Sequence, residues 1–315
     1  MDNKPDIVSI GEALVELATD IKLKSAQTLV KYFGGDCMAV AIAAQRAGSK
    51  AGFITKVGND AFKEFLLDAW QAEGLDISQI KLDEEKNGLY IIAHPSDSEK
   101  EIIYYRKKIA PSKLTIEDIN EDYIKSAKYL YSSGITQALS ASASEAVTYA
   151  FKIAQANSVL TAYAPSYNKN VSTIDSAKEY LSNVIHHTDI AFMELEGDVI
   201  PLMDVDSAQL AIKKMWDYGV KIVIIKSDFS KKYYAGYSGN ITETPFYELE
   251  IIDSTSSFES FIGSYLSAIN SGMTPFDAVK FSAIVEGIQI SKLGAIKSIP
   301  YKADVLKVLK GEDND

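Results

Sequence analysis

Short β-rich runs alternate with longer helical patterns along almost the whole chain, and this alternation limits the fold more than any other feature. Apolar runs of strand length fall at 6–10, 51–55, 129–132, 159–163, 189–192 and 221–225, with helical patterns near 36–48, 60–73, 141–157, 206–218 and 276–293. Such alternation is typical of α/β proteins with a mainly parallel sheet that is covered by helices on both faces. Ligands of these sheets bind beyond the carboxyl ends of the strands, so the residues after each strand are the candidates for a site.

A second pattern interrupts the first in two places. Residues 89–93 and 102–106 are strand-like and are separated by the turn-rich residues 95–98. Two strands joined by such a turn predict an antiparallel hairpin outside the main sheet, in a small β lid. The predicted domains are a large α/β domain of residues 1–12, 34–85 and 111–315 and a lid of residues 13–33 and 86–110. Residues 311–315 are predicted to be a frayed tail.

Charge and cysteine content exclude several partners. The 315 residues carry a net charge of −11, from 32 basic and 43 acidic side chains. Without a basic stripe, such a chain is not expected to bind nucleic acid or an anionic membrane surface. The single cysteine, Cys37, excludes an intrachain disulfide and favours a reducing compartment. Because no apolar run approaches about 18 residues, we expect a cytoplasmic protein without a membrane span.

The segment 253–261 is a candidate anion site. It follows a strand-like run at 246–252 and opens a helical pattern that includes Phe261, Tyr265 and Ile269. The first turn of a helix presents unpaired N–H groups and the positive end of its dipole, which together favour a phosphate. The segment contains no glycine, however, although close approach of backbone to phosphate usually requires one.

Several short motifs occur in an order that identifies a family. They are Gly11-Glu12-Ala13, Gly34-Gly35-Asp36, Lys56-Val57-Gly58-Asn59-Asp60, Glu73-Gly74-Leu75-Asp76, and Gly294-Ala295 with Pro300. In this order the chain resembles the ribokinase-like sugar kinases of the PfkB type over nearly its whole length. Gly34-Gly35-Asp36, Gly88-Leu89-Tyr90 and Tyr104-Tyr105-Arg106 are most similar to 2-keto-3-deoxygluconate kinases, with fructokinases next.

The resemblance implies a kinase that uses ATP and Mg²⁺ to phosphorylate a small sugar or sugar acid under a β lid, and a homodimer that pairs through the lid. In the family, the aspartate of a Gly-Ala-Gly-Asp helix start accepts the proton of the sugar hydroxyl, and amides of the same loop stabilise the transferring phosphoryl group. By position, Glu259 is the catalytic residue and Glu196 the metal ligand. Ser256, Ser257, Phe258, Lys226 and Asp228 are the nucleotide or anion ligands, and Gly35, Asp36, Tyr90, Tyr104 and Arg106 the sugar ligands.

This chain departs from the family pattern in the catalytic and nucleotide half. Ser256-Ser257-Phe258-Glu259 replaces Gly-Ala-Gly-Asp, and Glu259 adds a methylene where a misplacement of about 1 Å can cost roughly 100-fold in rate. The side chain of Phe258 is expected to crowd the phosphate. Met193 replaces an asparagine that the family associates with magnesium. Residues 226–231 lack the two glycines of the family's nucleotide turn. Ala164 and Asn168 replace an acid and an arginine, and Ala39 replaces a sugar-binding asparagine.

Alternatives stay open for single residues and for the function. Arg106 and Tyr104 are equally compatible with a salt-bridged lid arginine and a strand tyrosine, and Glu16 is predicted to be a solvated strand end. Two function hypotheses follow from the residues and the resemblance. The chain is either a sugar or sugar-acid kinase with an altered ATP site and impaired turnover, or a catalytically silent relative that binds a sugar or a partner protein. No catalytic triad, metal cluster or dinucleotide fingerprint favours another chemistry.

Overall fold

A computed structural model describes residues 4–96 and 99–311. In chain order its strands are β1 Ile7–Ile10, β2 Leu14–Thr19, β3 Val30–Gly34, β4 Ala51–Gly58, β5 Ile80–Asp83, β6 Gly88–Ser96, β7 Glu99–Tyr105, β8 Tyr129–Ser133, β9 Leu160–Ala164, β10 Ile190–Glu194, β11 Ile222–Ser227, β12 Lys232–Tyr237 and β13 Asn240–Pro245. Its α-helices are α1 Asp36–Arg46, α2 Lys63–Ala72, α3 Glu121–Ser126, α4 Gly134–Gln137, α5 Ala141–Ala156, α6 Ile174–Val184, α7 Ile200–Met203, α8 Ala208–Asp217, α9 Ser257–Asn270, α10 Pro275–Ile290 and α11 Lys302–Leu309.

The larger sheet has the strand order β13-β12-β11-β10-β9-β8-β1-β4-β5. From β11 to β5 neighbouring strands pair in parallel, whereas β12 and β13 add an antiparallel edge. The predicted strands of this sheet and the predicted helices are confirmed at each position, but the sequence analysis did not find the β12–β13 hairpin. The strand predicted at 246–252 is wrong, because the chain leaves the sheet after Pro245 and Ile252 donates its amide to the end of α10 instead. Strand β11 is buried along its whole length, as expected for a parallel strand with helices on both faces.

The smaller sheet has the order β3-β2-β6-β7. Its β6–β7 pair is antiparallel, as predicted, but β2 and β6 pair in parallel, with Glu16 opposite Tyr90. The lid is therefore a mixed sheet rather than a simple hairpin. Part of the predicted turn, residues 97–98, and most of the predicted tail, residues 312–315, lie outside the described residues. The domain boundaries and the homodimer stay predictions. The lid does have exposed apolar side chains, which are those of Val30, Ile103 and Tyr105.

Helices α1 and α9 pack closely against each other and against the larger sheet. A side chain at Gly263 would place its Cβ 2.2 Å from the carbonyl oxygen of Val40, so only glycine lets the two helices approach this far. Ile42, Phe261 and Tyr265 are fully buried in the resulting core. Because of this packing, the first turns of both helices belong to one region at the carboxyl edge of the sheet.

Within residues 4–96 and 99–311, no helix combines the length and the apolar character needed to cross a bilayer.

Candidate active site

Asp36 is the first residue of α1 and lies against the end of β8. The preceding Gly35 has φ 115°, a conformation that side-chain-bearing residues rarely adopt, and this turn brings Asp36 inward. The hydroxyl of Ser133 donates to Oδ2 of Asp36, while Oδ1 has no hydrogen-bond partner among the described residues. Burial raises the pKa of Asp36. The site thus contains a buried acceptor of the kind that a ligand hydroxyl would satisfy.

Glu12 and Arg106 form a buried ion pair beside Asp36. Glu12 follows β1, and Arg106 follows the lid strand β7, so the pair joins the large domain to the lid. Burial raises the pKa of Glu12 to about 7, although Arg106 opposes this shift, and the charge of Asp36 adds to it. The second oxygen of Glu12, Oε2, has no partner in the described part of the chain. Two unpartnered carboxylate oxygens and one guanidinium therefore meet under the lid.

A cavity of about 680 Å³ opens beside this cluster, with Arg106, Tyr104 and Asn168 in its wall. The Arg106 guanidinium lies 5.7 Å from the ring centre of Tyr104. Three lysines, Lys86, Lys107 and Lys108, also line the cavity, together with Glu84 and Glu85, so basic side chains outnumber acidic ones there. Of the predicted sugar ligands, the structure brings Gly35, Asp36 and Arg106 together, and Tyr104 joins them through Arg106.

Tyr90 lies apart from this cavity, in the interior of the lid. Its hydroxyl donates to Glu16, which stands opposite it on β2, and its ring centre is 5.6 Å from that of Tyr104. Its sugar contact stays a prediction that these contacts do not support. Glu16 was predicted to be solvated, and this is wrong, because its strand is an inner strand of the lid and the residue is only 2% exposed. Burial raises the pKa of Glu16 to about 7.

The predicted anion loop leads into α9 as expected, and its bulky residue packs into the core. Ser256 takes the left-handed conformation, with φ 60°, and the helix begins at Ser257. The ring of Phe258 packs into the core against Phe192 and Phe261, with ring centres 6.5 and 5.8 Å away. The ring is thus part of the core, with Lys226 Nζ 5.7 Å from its centre, and the expectation that Phe258 crowds the phosphate stays a prediction. The first-turn amides of Phe258 and Glu259 have no intrahelical acceptor.

Glu259 stands half-buried in the first turn of α9. Burial raises its pKa to about 8, and the charges of Asp36 and Glu194 add to the shift, whereas Lys226 opposes it. The Glu259 carboxyl group also accepts a hydrogen bond from its own backbone amide. With this pKa, only about one Glu259 side chain in ten is ionised at pH 7. The candidate base is therefore mostly protonated at neutral pH.

A second cavity, of about 400 Å³, has Ser257 from the first turn of α9 in its wall. Lys226 is buried in its wall, with Nζ 2.8 Å from Oε1 of Glu286 and 3.5 Å from both Asp228 Oδ1 and Ser257 Oγ. Burial alone would lower the pKa of Lys226, but Glu286 and the other carboxylates raise it. The structure thus brings together Lys226, Asp228 and Ser257, as predicted for a nucleotide site.

The carboxylate of Glu196, the predicted metal ligand, is already hydrogen-bonded to the end of β11 and the turn that follows it. Its carboxylate accepts hydrogen bonds from Ser227 Oγ at 2.8 Å, Phe229 N at 3.2 Å and Asp228 N at 3.3 Å. These bonds outweigh burial and lower its pKa. No group of three metal-ligating side chains occurs within the described ranges. The metal role of Glu196 stays a prediction.

Sequence reasoning missed two carboxylates that line this cavity, Glu194 and Glu286. Glu194 ends β10, where burial raises its pKa, and it lines this cavity as a carboxylate that would suit a magnesium ion. Glu286 interrupts the apolar run 283–288 of α10, and this isolated charge was a signal in the sequence. Gly287, Ala283 and Phe246 give the cavity a largely apolar wall that fits a nucleoside.

Comparison with known proteins identifies the family of the chain. A sequence model described as the pfkB family of carbohydrate kinases matches residues 4–302. A 5-dehydro-2-deoxygluconokinase of Clostridium perfringens is 30% identical over 327 residues, which cover 99% of this chain and 95% of that protein. One of the same name from Bacillus subtilis is 26% identical, covering 98% of this chain and 96% of its own.

Solved structures of low sequence identity share the fold. A 2-dehydro-3-deoxygluconokinase of Thermotoga maritima has a TM-score of 0.90 at 18% identity, covering 98% of this chain and 99% of its own. A fructokinase of Xylella fastidiosa with bound ATP has a TM-score of 0.84 at 18% identity, covering 100% of both chains. The ribokinase-like fold predicted from the motifs is confirmed, and the chain belongs to the pfkB family of carbohydrate kinases.

Proposed function

We propose that this chain is an ATP-dependent kinase of a deoxy keto-sugar acid, with slow turnover at neutral pH. One observation carries the proposal. Glu259, in the first turn of α9, is within electrostatic reach both of Asp36 in the Asp36–Glu12–Arg106 cluster and of Glu194 and Lys226 in the smaller cavity. The sugar-acid class is supported by the basic residues of the larger cavity and by the names of the relatives that match almost end to end.

The proposal gives each group a role. Unpartnered oxygens of Asp36 and Glu12 accept sugar hydroxyls, and Arg106 offers a charge-assisted bond to a carboxylate. Glu259, once ionised, takes the proton of the attacking hydroxyl, and the first-turn amide of Phe258 stabilises the transferring charge. Lys226 and Lys231 face the phosphates of ATP. A magnesium ion held by Glu194 would offset further phosphate charge.

A silent relative that binds sugar without turnover is the second candidate. It is favoured by the protonated state of Glu259 at neutral pH and by the pairing of Lys226 with Glu286. Both features remove charge that phosphoryl transfer needs. The two candidates differ in what they predict at alkaline pH.

The rate of ADP release is expected to rise about tenfold between pH 7 and pH 9. The base must be ionised to act, and a pKa of about 8 means that its ionised fraction grows from about a tenth to about nine tenths over this range. A coupled ADP-release assay with deoxy keto-sugar acids and neutral keto-sugars measures this profile. A rate that is flat or falls with pH would contradict the role of Glu259. Absence of turnover at every pH, together with a thermal shift on sugar binding, would select the silent relative.

Substitution of Arg106 by alanine is expected to weaken binding of a sugar acid by roughly 1.5–3 kcal/mol more than binding of the neutral sugar with the same hydroxyls. Loss of the Glu12 ion pair affects both ligands alike, so the difference isolates the contact with the carboxylate. Titration calorimetry measures both affinities. Lys107→Ala, at the exposed neighbouring lysine of the same cavity, is the matched control for loss of one positive charge. Equal losses for the two ligands in Arg106→Ala would rule out the carboxylate contact.

A further inference from the structure

A buried carboxylate stands in the wall of the smaller cavity. Glu286 lies within α10 and is 4% exposed. Its Oε1 is 2.8 Å from Lys226 Nζ, and its Oε2 accepts a hydrogen bond of 2.5 Å from the hydroxyl of Tyr233. Lys226 and Tyr233 are themselves buried. The carboxylate is therefore held from two sides in one position.

The three N–H donors of Lys226 already have acceptors nearby. Besides Glu286 at 2.8 Å, they are Asp228 Oδ1 and Ser257 Oγ, each at 3.5 Å. The side chain of Asp228 is 65% exposed and can turn into solvent, whereas Glu286 is enclosed by the helix and by Tyr233. A phosphate that approaches Lys226 must therefore compete with Glu286 above all.

The charges that line this cavity also oppose a polyphosphate. Glu194, Asp228 and Glu286 face Lys226 and Lys231, so the acidic side chains outnumber the basic ones. A nucleoside carries no charge and meets the apolar wall of Phe246, Tyr247 and Ala283 instead. The cavity thus treats the two halves of a nucleotide differently.

We propose that Glu286 sets the phosphate affinity of this site, because its carboxylate competes with the phosphates of a bound nucleotide for Lys226. The chain consequently binds an adenine nucleoside almost as well as the corresponding di- or triphosphate. This inference rests on the proposed function, since it takes the smaller cavity as the nucleotide site.

Glu286→Gln tests the inference, since it keeps the shape of the side chain and removes its charge. The amide oxygen can still accept from Lys226, whereas the amide nitrogen must donate to the Tyr233 hydroxyl, which reverses that hydrogen bond. Unit charges this close interact strongly even at an effective dielectric constant of about 20. ADP and Mg-ATP are therefore expected to bind about tenfold more tightly or better, and adenosine within about twofold of wild type. Titration calorimetry with adenosine, ADP and Mg-ATP measures the three affinities.

Two further variants make the result decisive. Glu145→Gln removes the same charge from the exposed face of α5 and is expected to change none of the three affinities. Glu286→Met removes the charge and the hydrogen bonds of the side chain at similar volume. It should also increase the affinity for ADP, and it replaces the Gln variant if melting curves show that the Gln variant does not fold. An unchanged ratio of ADP to adenosine affinity in both Glu286 variants overturns the inference. If wild type already binds Mg-ATP much more tightly than adenosine, only this inference fails. If no variant binds any of the three ligands, the proposed function fails with it.

Discussion

Replacing Glu259 with glutamine is expected to lower kcat for phosphoryl transfer by about 100- to 10,000-fold, the usual contribution of a general base. The amide cannot accept the proton of the sugar hydroxyl, whereas it occupies nearly the same volume in the first turn of α9. Binding of sugar and of nucleotide should persist. The substitution also removes a group whose ionisation is disfavoured by burial, so the folded state should not be destabilised.

The comparison needs both kcat and the pH profile. Glu259→Gln should remove the rise in rate between pH 7 and pH 9, because that rise follows the ionisation of Glu259. Glu259→Asp keeps a carboxylate and should retain a pH-dependent rate, although the shorter side chain alone restores little of the family's geometry. Glu145→Gln, on the surface of α5, serves as the charge control. A Glu259→Gln enzyme with a rate near that of wild type would show that another group is the base.

The fold was predictable because local patterns decide it. Strands such as β11 are apolar along their whole length, and helices such as α10 begin with signals that are visible in the sequence, here Thr274 as the N-cap and Pro275 at the first position. A parallel sheet with helices on both faces is the arrangement that buries such strands. The β12–β13 hairpin escaped because its outer strand is mostly exposed and carries no continuous apolar run.

The site was only partly predictable, because its chemistry depends on contacts between distant segments. The motifs place Asp36, Arg106 and Lys226 in one region, but they do not reveal that Lys226 meets Glu286 or that Glu16 is buried against Tyr90. The direction of the Phe258 ring also depends on Phe192, which lies on another strand. Such pairings are decided by packing in three dimensions, and a single sequence carries little signal for them.

The same contacts bring more carboxyl groups together in the site than its motifs suggest. Glu12, Asp36, Glu194 and Glu259 all have raised pKa values, chiefly through burial, and each of them has at least one other carboxylate that adds to the shift or is shifted in turn. In a cluster of this kind, burial and neighbouring carboxylates both disfavour the ionised form. The positive charges of Arg106 and Lys226 act in the opposite direction and favour the ionised form of Glu12 and Glu194, respectively.

Substitution of Gly35 by alanine is expected to destabilise the protein by about 3 kcal/mol or more and to abolish sugar binding. Gly35 has φ 115°, and a Cβ there would lie 2.6 Å from the carbonyl oxygen of Glu12 and 2.9 Å from the Cα of Ala13. Both atoms belong to the backbone, so the clash cannot be relieved by a side-chain rotation. Any shift of this backbone would move Glu12 away from Arg106, and it would also move Asp36, the first residue of α1.

Gly219→Ala separates the cost of the backbone conformation at positive φ from the cost of the clash with backbone atoms. Gly219 has a similar φ of 96°, but a Cβ there would meet nothing within 4 Å. It should therefore cost only the conformational strain of a left-handed residue, about 1–2 kcal/mol. For a chain of this size, the melting temperature should fall by about 2–8 °C in Gly219→Ala and further in Gly35→Ala. Sugar binding, measured by calorimetry below both melting temperatures, should survive in the first variant and be lost in the second. Equal stability and equal sugar affinity in the two variants would mean that the backbone near Glu12 yields to the added methyl group, and that the position of Asp36 does not depend on glycine at residue 35.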